Sequence, residues 1–298
     1  MEHNTAALPP RAADAPTDEM DTGAIQQAWA ALNAPSRKPR VHLEIDWAAR
    51  TDIGRAREHN EDKYDFFLPD DPLLLAQRGR LWAVADGMGG HSAGQIASEA
   101  SLKTLIRGYF YRSAEGGDSP QAALSKALSD ANDLLHRAAK EMGAAGNMGT
   151  TVVATVVCEE TLTIAHIGDS RAYMLRKGEP IRPLTTDHSW VEEQVKRGAM
   201  SRPQAEASEY RNYIMRSVGM GGTVTPDIST ETLRVGDTIL LCSDGVSGYL
   251  DDAVLQGLIG EKSLSQVALD IIDAANGAGG RDNSTALLFR VRAIRPYD

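Results

Sequence analysis

Beyond residue 40 the spacing of apolar residues in this 298-residue chain changes period several times, and the order of those changes narrows the fold more than any motif. In VHLEIDWAART, Val41, Leu43, Ile45 and Trp47 alternate with the period of a half-buried strand. LWAVAD follows as a buried strand ending at Asp86. Ser92 and Gln95 then make a capping-box pattern, and Leu102, Leu105, Ile106 and Tyr109 recur at helical spacing. A second helix is predicted from about Pro120, with a stripe of Leu124, Ala127, Leu128, Ala131, Leu135 and Ala138. TTVVATVVC, TLTIAHIGD and RAYMLR read as strands joined by short polar turns, which predicts an antiparallel meander. Residues 185–226 are a mixed insertion, and DTILLCSD returns to strand. Two helices striped by Val254, Leu255 and Leu258 and by Val267, Ile271 and Ile272 precede a last strand, STALLFRVRAI. Strands, two helices, strands, two helices, strand: that order favours an α+β layered sandwich over a doubly wound parallel sheet.

Three of these apolar runs carry an aspartate at their edge: Asp86, Asp244 and Asp282. An isolated carboxylate cannot be buried at a strand end without a partner or a shifted pKa. Two of them about 4 Å apart would repel by roughly 4 kcal/mol at an effective dielectric near 20. A divalent cation with hard oxygen ligands removes that cost. One Asp-Gly taken alone is most often a turn, because Asp bonds its own backbone and Gly tolerates positive φ. Here Asp86-Gly87, Gly168-Asp169-Ser170-Arg171, Asp244-Gly245 and Arg281-Asp282-Asn283 all sit at strand edges, just downstream of an acidic segment running from Arg57 to Asp62. The conjunction points to a carboxylate-bound metal site.

Other chemistries are poorly supported. Gly89 and Gly94 have P-loop spacing, but Gln95 stands where the lysine belongs, and Ser92 replaces the last glycine of a GxGxxG that starts at Gly87. Ser247 in GVSGY lacks the spacing of a nucleophile elbow. His and Cys do not cluster as in zinc sites. The formal net charge of −10 argues against a nucleic-acid or anionic-membrane binder. Cys158 and Cys242, both inside apolar runs, read as reduced thiols. No apolar stretch of 18 residues and no leader pattern is present, so a cytoplasmic protein is expected. Residues 1–40, rich in Ala, Pro and Asp, read as a largely disordered tail. Within it Ile25, Trp29 and Leu32 share a helical face that either caps the chain's own domain or docks on a partner.

The segments TDIGRAREHNED, VADGMGGHSAG, IGDSRAY, LTTDHSWVEEQV, LLCSDGV and RDNST, in that order across residues 51–285, together resemble the metal-dependent protein phosphatases of the type 2C (PPM) family in a bacterial form. The resemblance implies a four-layer αββα sandwich over residues 41–298, two antiparallel sheets flanked by helix pairs, with Mn²⁺ or Mg²⁺ in a channel at one end. It implies hydrolysis of phosphoserine and phosphothreonine in proteins by in-line attack of a metal-bridging hydroxide. Carried over position by position, Asp86 bridges two metals with the Gly87 carbonyl on one of them, and Asp244 and Asp282 complete the pair. Glu61 and Asp62 hold metal-bound waters from the outer shell. Asp169 joins Asp244 at a third metal. Arg57 grips the substrate phosphate. His91 corresponds to a general acid for the leaving alkoxide, its other role being to help cap the next helix. Arg171 reads as a brace for the Asp169 loop.

Residues 185–226 correspond to the flap of bacterial members, but Ser208-Glu209 stands before Tyr210-Arg211-Asn212 where many have His-Pro. The expected partners are phosphoproteins, the products of a bacterial Ser/Thr kinase, with neither nucleic acid nor membrane among them. Two alternatives are a catalytically silent relative that binds phosphoproteins and a phosphatase for small phosphate esters. The first would show lost metal ligands, and none is lost.

Overall fold

Strands whose two faces are both apolar need cover on both sides, and the architecture supplies it. A computed structural model describes residues 40–89, 92–112, 119–144 and 146–296. The tail, apart from Arg40, and His91 lie outside the described residues. One sheet has the order β1 (Val41–Asp52), β12 (Ser284–Pro296), β11 (Thr238–Cys242), β8 (Arg171–Leu175), β9 (Arg182–Pro183). The second has β10 (Asp227–Thr232), β7 (Thr161–Ile167), β6 (Val152–Cys158), β3 (Arg80–Ala85), β2 (Lys63–Phe67). Each strand pair in both sheets is antiparallel. A short ribbon, β4 (Gly87–Met88) with β5 (Gly149–Thr150), lies beside them.

Alternation along β3 divides its side chains between two layers. Trp82 and Val84 enter the core between the sheets, where Trp82 stacks on Phe289 of β12 at 4.5 Å. Leu81, Ala83 and Ala85 face the helix pair α2 (Ser92–Arg107, continued by a π-helical turn Gly108–Arg112) and α3 (Pro120–Glu141). On β12, Leu287, Phe289 and Val291 point inward, while Ala286 and Leu288 meet α7 (Asp252–Leu258) and α8 (Leu264–Gly277). Each fully buried large side chain contributes about 1.5–3 kcal/mol. The two sheets and their covering helices make the expected α+β sandwich.

Four details differ from the sequence expectations. RAYML is not the third strand of a meander: after the β6–β7 hairpin the chain crosses at Gly168–Ser170 to the other sheet, where β8 pairs with β11 and β9. Local turns look alike within a sheet and between sheets, and only the packing of Ala172 and Met174 into the inter-sheet core decides. Val254 is 43% exposed, and Leu255 carries the burial of α7. On α3 Ala139 is buried where Ala138 is half-buried. A short helix α1 (Pro72–Arg78), capped by Asp71, was not foreseen. Within residues 185–226 lie α4 (Trp190–Lys196) and α5 (Arg202–Glu206), while α6 (Asp244–Ser247) follows β11.

Candidate metal centre

Antiparallel register gathers the acidic residues at one edge of the sandwich. Cys242 at the end of β11 pairs with Arg171 at the start of β8 and with Ala286 near the start of β12, and Asp52 pairs with Ser284. Asp244, Asp169 and Asp282 therefore leave the first sheet at the same end. Lys63 pairs with Ala85 in the second sheet, so Glu61 and Asp62 precede β2 where Asp86 follows β3. The crossover at Gly168 joins these two edges.

Asp62 is the best defined of the group. It is 1% exposed, and its Oδ2 accepts from Ser243 Oγ at 2.6 Å and Thr285 Oγ1 at 2.7 Å. Thr285 N–H donates to Ser243 Oγ at 3.0 Å, Thr51 Oγ1 lies 2.8 Å from Thr285 Oγ1, and Asn60 Nδ2 donates to Thr51 Oγ1. With Thr285's proton given to Asp62, Thr51 must donate to Thr285, and the network is complete on that side. Its other oxygen, Oδ1, is buried without a partner among the described residues, as are Asp169 Oδ1 and Asp244 Oδ1. Orphaned buried carboxylate oxygens are costly, and three at one edge fit a hard cation that takes oxygen ligands.

The electrostatics agree. Burial pushes Asp86 well above the usual carboxylate range, and repulsion from Asp62, Asp244, Asp169 and Asp282 adds to it. Asp169 is raised by burial, then by Asp244 and Asp187. Asp244 is raised by burial and by Asp282, and a hydrogen-bonding contact with Asp86 opposes this. Asp62 is pushed up to about 7, by burial first and by Asp244 and Asp282, against the two hydroxyl donors. These five charges are near neighbours, yet no three of them form a tight set. Among the described residues, the trio of ligating side chains whose donor atoms all fall within 4.8 Å of one another is His166, His188 and Asp227.

The backbone around Asp86 is fixed by threonines: its carbonyl accepts from Thr151 N–H at 2.9 Å and Thr150 Oγ1 at 2.8 Å, and its N–H donates to Thr151 Oγ1 at 3.1 Å. Thr151 Oγ1 also meets Ser170 Oγ at 2.7 Å, tying the Asp86 loop to the crossover. Gly87 is buried in β4, where a β-carbon would collide with the carbonyls of Gly94 and Glu61; one on Gly94 would strike Glu61 Oε2. Glycine at both positions lets Glu61 lie against the start of α2. Glu61 N–H donates to Asn283 Oδ1, and Asn283 Nδ2 donates to the carbonyls of Ile53 and His59, each at 2.9 Å. Asn283 thus holds the loop that carries Arg57.

Arg57 reaches over the cluster from a side chain that is 54% exposed, its Nη2 donating to Asp282 Oδ2 at 2.7 Å. Arg171 does not brace Asp169 directly. Its Nε and Nη2 make paired bonds of 2.8 and 2.7 Å to Asp187, and Nη1 donates to Tyr173 at 3.0 Å. Ser243, Thr285, Asn283, Thr151 and Asp187 are the contributors that sequence reasoning passed over. Four of them stand inside the motif segments LLCSDGV, RDNST and LTTDHSWVEEQV, where their types were visible and their partners, up to 230 residues away, were not.

The chain matches the family model described as protein phosphatase 2C over residues 55–284. It is 36% identical over 253 residues to the serine/threonine phosphatase stp of Listeria innocua, covering 83% of this chain and 95% of that one. It is 33% identical to the serine/threonine protein phosphatase PstP of Mycobacterium tuberculosis, over 85% of this chain and 46% of that longer protein. Among solved structures, the catalytic domain of PstP in complex with two manganese ions superposes with a TM-score of 0.71 at 32% identity, covering 85% of this chain and all of that one. The serine/threonine phosphatase Stp1 of Staphylococcus aureus superposes at 0.73 with 30% identity, over 86% and 98%. Sequence, sheet topology and the acidic edge lead to one conclusion: this chain belongs to the protein phosphatase 2C family.

Proposed function

We propose that this protein is a metal-dependent serine/threonine protein phosphatase that hydrolyses phosphoserine and phosphothreonine in proteins, using Mn²⁺ or Mg²⁺. The observation that carries the proposal is the set of five aspartates at one sandwich edge, three of them with a buried oxygen that no group among the described residues satisfies. Asp86, the Gly87 carbonyl, Asp244 and Asp282 would hold a pair of cations, and Asp169 with Asp244 would hold a third. Glu61 and Asp62 act through water. When bound, such cations lower the pKa of water toward neutrality and offset the charge of the phosphoryl oxygens.

The chain's own groups do the rest. Ser243 and Thr285 occupy one oxygen of Asp62, which leaves Oδ1 as a buried lone-pair acceptor. Such an oxygen orients a water rather than competing for the ion. Arg57, exposed and planar, offers paired donors to a phosphate, and Asn283 fixes the loop it stands on. His91 serves as proton donor to the leaving serine or threonine oxygen. Residues 185–226 border the site as a flap. The relatives' names support phosphoprotein substrates, and a bacterial Ser/Thr kinase would supply them. The net charge of −10 and the reduced thiols Cys158 and Cys242 support a cytoplasmic protein that acts on other proteins rather than on nucleic acid. No helix among the described residues is long and apolar enough to cross a membrane.

The test is manganese-dependent phosphate release from a phosphothreonine peptide, with Asp86→Asn and Asp244→Asn beside the parent. Release by the parent that falls at least about a hundredfold in both variants supports the proposal. No release by the parent, or equal release by the variants, overturns it.

A further inference from the structure

Both backbone polar groups of Gly168 are held by one side chain and its own peptide. Gly168 N–H donates to His188 Nδ1 at 3.1 Å, and Gly168 C=O accepts from His188 N–H at 2.9 Å. Gly168 has φ of +107°, and a β-carbon there would strike Thr151, so the crossover turn is tight and needs its hydrogen bonds to stay in place. Asp169 is the next residue, 7% exposed, with Oδ1 unpartnered.

The imidazole that grips the turn is itself gripped. His188 Nε2 lies 3.3 Å from Asp227 Oδ2, on the first residue of β10, and Arg216 Nη1 bonds the other oxygen of Asp227 at 2.9 Å. Because Nδ1 accepts from Gly168, the ring proton of the neutral imidazole is on Nε2, where it faces Asp227. His166, paired with Asp227 across β7 and β10, stacks on His188 at 4.6 Å and places Nε2 at 2.9 Å from Thr186 C=O. The backbone of His188 also joins the far end of the 185–226 segment, since its C=O accepts from Met215 N–H at 2.7 Å.

His166, His188 and Asp227 bring one donor atom each within 4.8 Å of one another, which invites a metal. The hydrogen bonding argues otherwise: His188 already uses Nδ1 for Gly168 and Nε2–H for Asp227, and the Arg216 guanidinium sits 3.4 Å from Nε2. A cation would have to strip that proton and tolerate a neighbouring positive charge. Burial holds both rings neutral, with His188 lowered to about 4.

We propose that His188 is a positioning residue which fixes the Gly168 turn and so presents Asp169 to a metal, with Asp227 fixing its tautomer and ring direction. The inference rests on the reading of Asp169 as a ligand of the weaker, third cation. Its consequence is specific: the hydrogen-bond acceptor at Nδ1 matters, and the ring does not. Asparagine places an oxygen at the same distance from the backbone as Nδ1, while phenylalanine keeps the ring and its stacking without an acceptor.

Calorimetric titration of the metal-stripped full chain with Mn²⁺, alongside thermal midpoints, tests this with His188→Asn, His188→Phe and Asp169→Asn. The expected result is loss of the weakest Mn²⁺ site in Asp169→Asn, about tenfold weaker binding there in His188→Phe, and binding within about threefold of the parent in His188→Asn. If Asp169→Asn loses the site but the two His188 variants bind alike, whatever their thermal midpoints, the proposal is overturned and the Asp169 reading stands. If Asp169→Asn binds Mn²⁺ as the parent does, that reading falls and takes the proposal with it. Asp227→Ala, at a half-exposed surface position, carries the test should His188→Phe not fold. About threefold weaker binding at the same site supports the proposal, and unchanged binding overturns it.

Discussion

Replacing Asp62 with asparagine should stabilise the metal-free protein while weakening its response to manganese. Asp62 is buried, and its carboxyl is raised from 3.8 to about 7 by burial and by Asp244 and Asp282. A carboxyl raised in the folded state costs nothing below its unfolded pKa, and an increasing amount as pH climbs through the folded value. The gap from 3.8 to about 7, at about 1.4 kcal/mol for each pH unit, gives a ceiling near 4 kcal/mol at pH 8. An asparagine at this position keeps an oxygen for Ser243 Oγ and Thr285 Oγ1, and its amide N–H groups face the remaining carboxylates instead of an orphaned Oδ1. In EDTA at pH 8 the Asp62→Asn protein should melt above the parent by up to about 8–16 °C, given roughly 2–4 °C per kcal/mol for a domain of this size. The advantage should shrink as pH falls from 7 and vanish near pH 4. With saturating Mn²⁺ the parent should gain more than the variant and overtake it. A variant that melts at or below the parent in EDTA at pH 8, or an advantage that persists unchanged at pH 4, would refute the electrostatic reasoning.

Arg57→Lys keeps a positive charge but loses the planar fork, so kcat/KM for a phosphothreonine peptide should fall about tenfold or more, mainly through KM; an unchanged KM removes the phosphate role. Ser243→Ala deletes one of two donors to Asp62 and raises its carboxyl further, so the acid limb of the pH–rate profile should move to higher pH by about one unit. A superimposable profile would show that Asp62 is not coupled to turnover. Gly168→Ala forces a β-carbon against Thr151 at positive φ and should cost about 1–3 kcal/mol in denaturant unfolding, with a loss of under 0.5 kcal/mol counting against the strained crossover.

How much of this was legible beforehand depends on whether the information is local. The α+β class followed from period changes along the chain, because residues such as Trp82 and Val84, or Leu287 and Phe289, carry their strand pattern within a few positions. The placement of β8 did not, since a turn such as Gly168–Ser170 reads the same whether the next strand stays in the sheet or leaves it. Asp86, Asp244 and Asp282 were legible as candidates because a carboxylate at the edge of an apolar run is an electrostatic problem on its face. The groups that serve them were not. Ser243 and Thr285 meet over Asp62 only because β11 and β12 pair, and His188 grips Gly168 from 20 residues away. Long-range partners of this kind follow from register, and register is a property of the assembled sheets.

If the acidic edge holds divalent cations, phosphoester hydrolysis requires them. Equilibrium binding of Mn²⁺ to the metal-stripped full chain, counted per chain and measured on the same samples as phosphate release from a phosphothreonine peptide, tests it most directly. The parent should bind at least two ions and Asp86→Asn fewer, with turnover that rises and falls with the bound metal. Turnover by a chain that binds no Mn²⁺ or Mg²⁺, or full metal binding by Asp86→Asn, would contradict it.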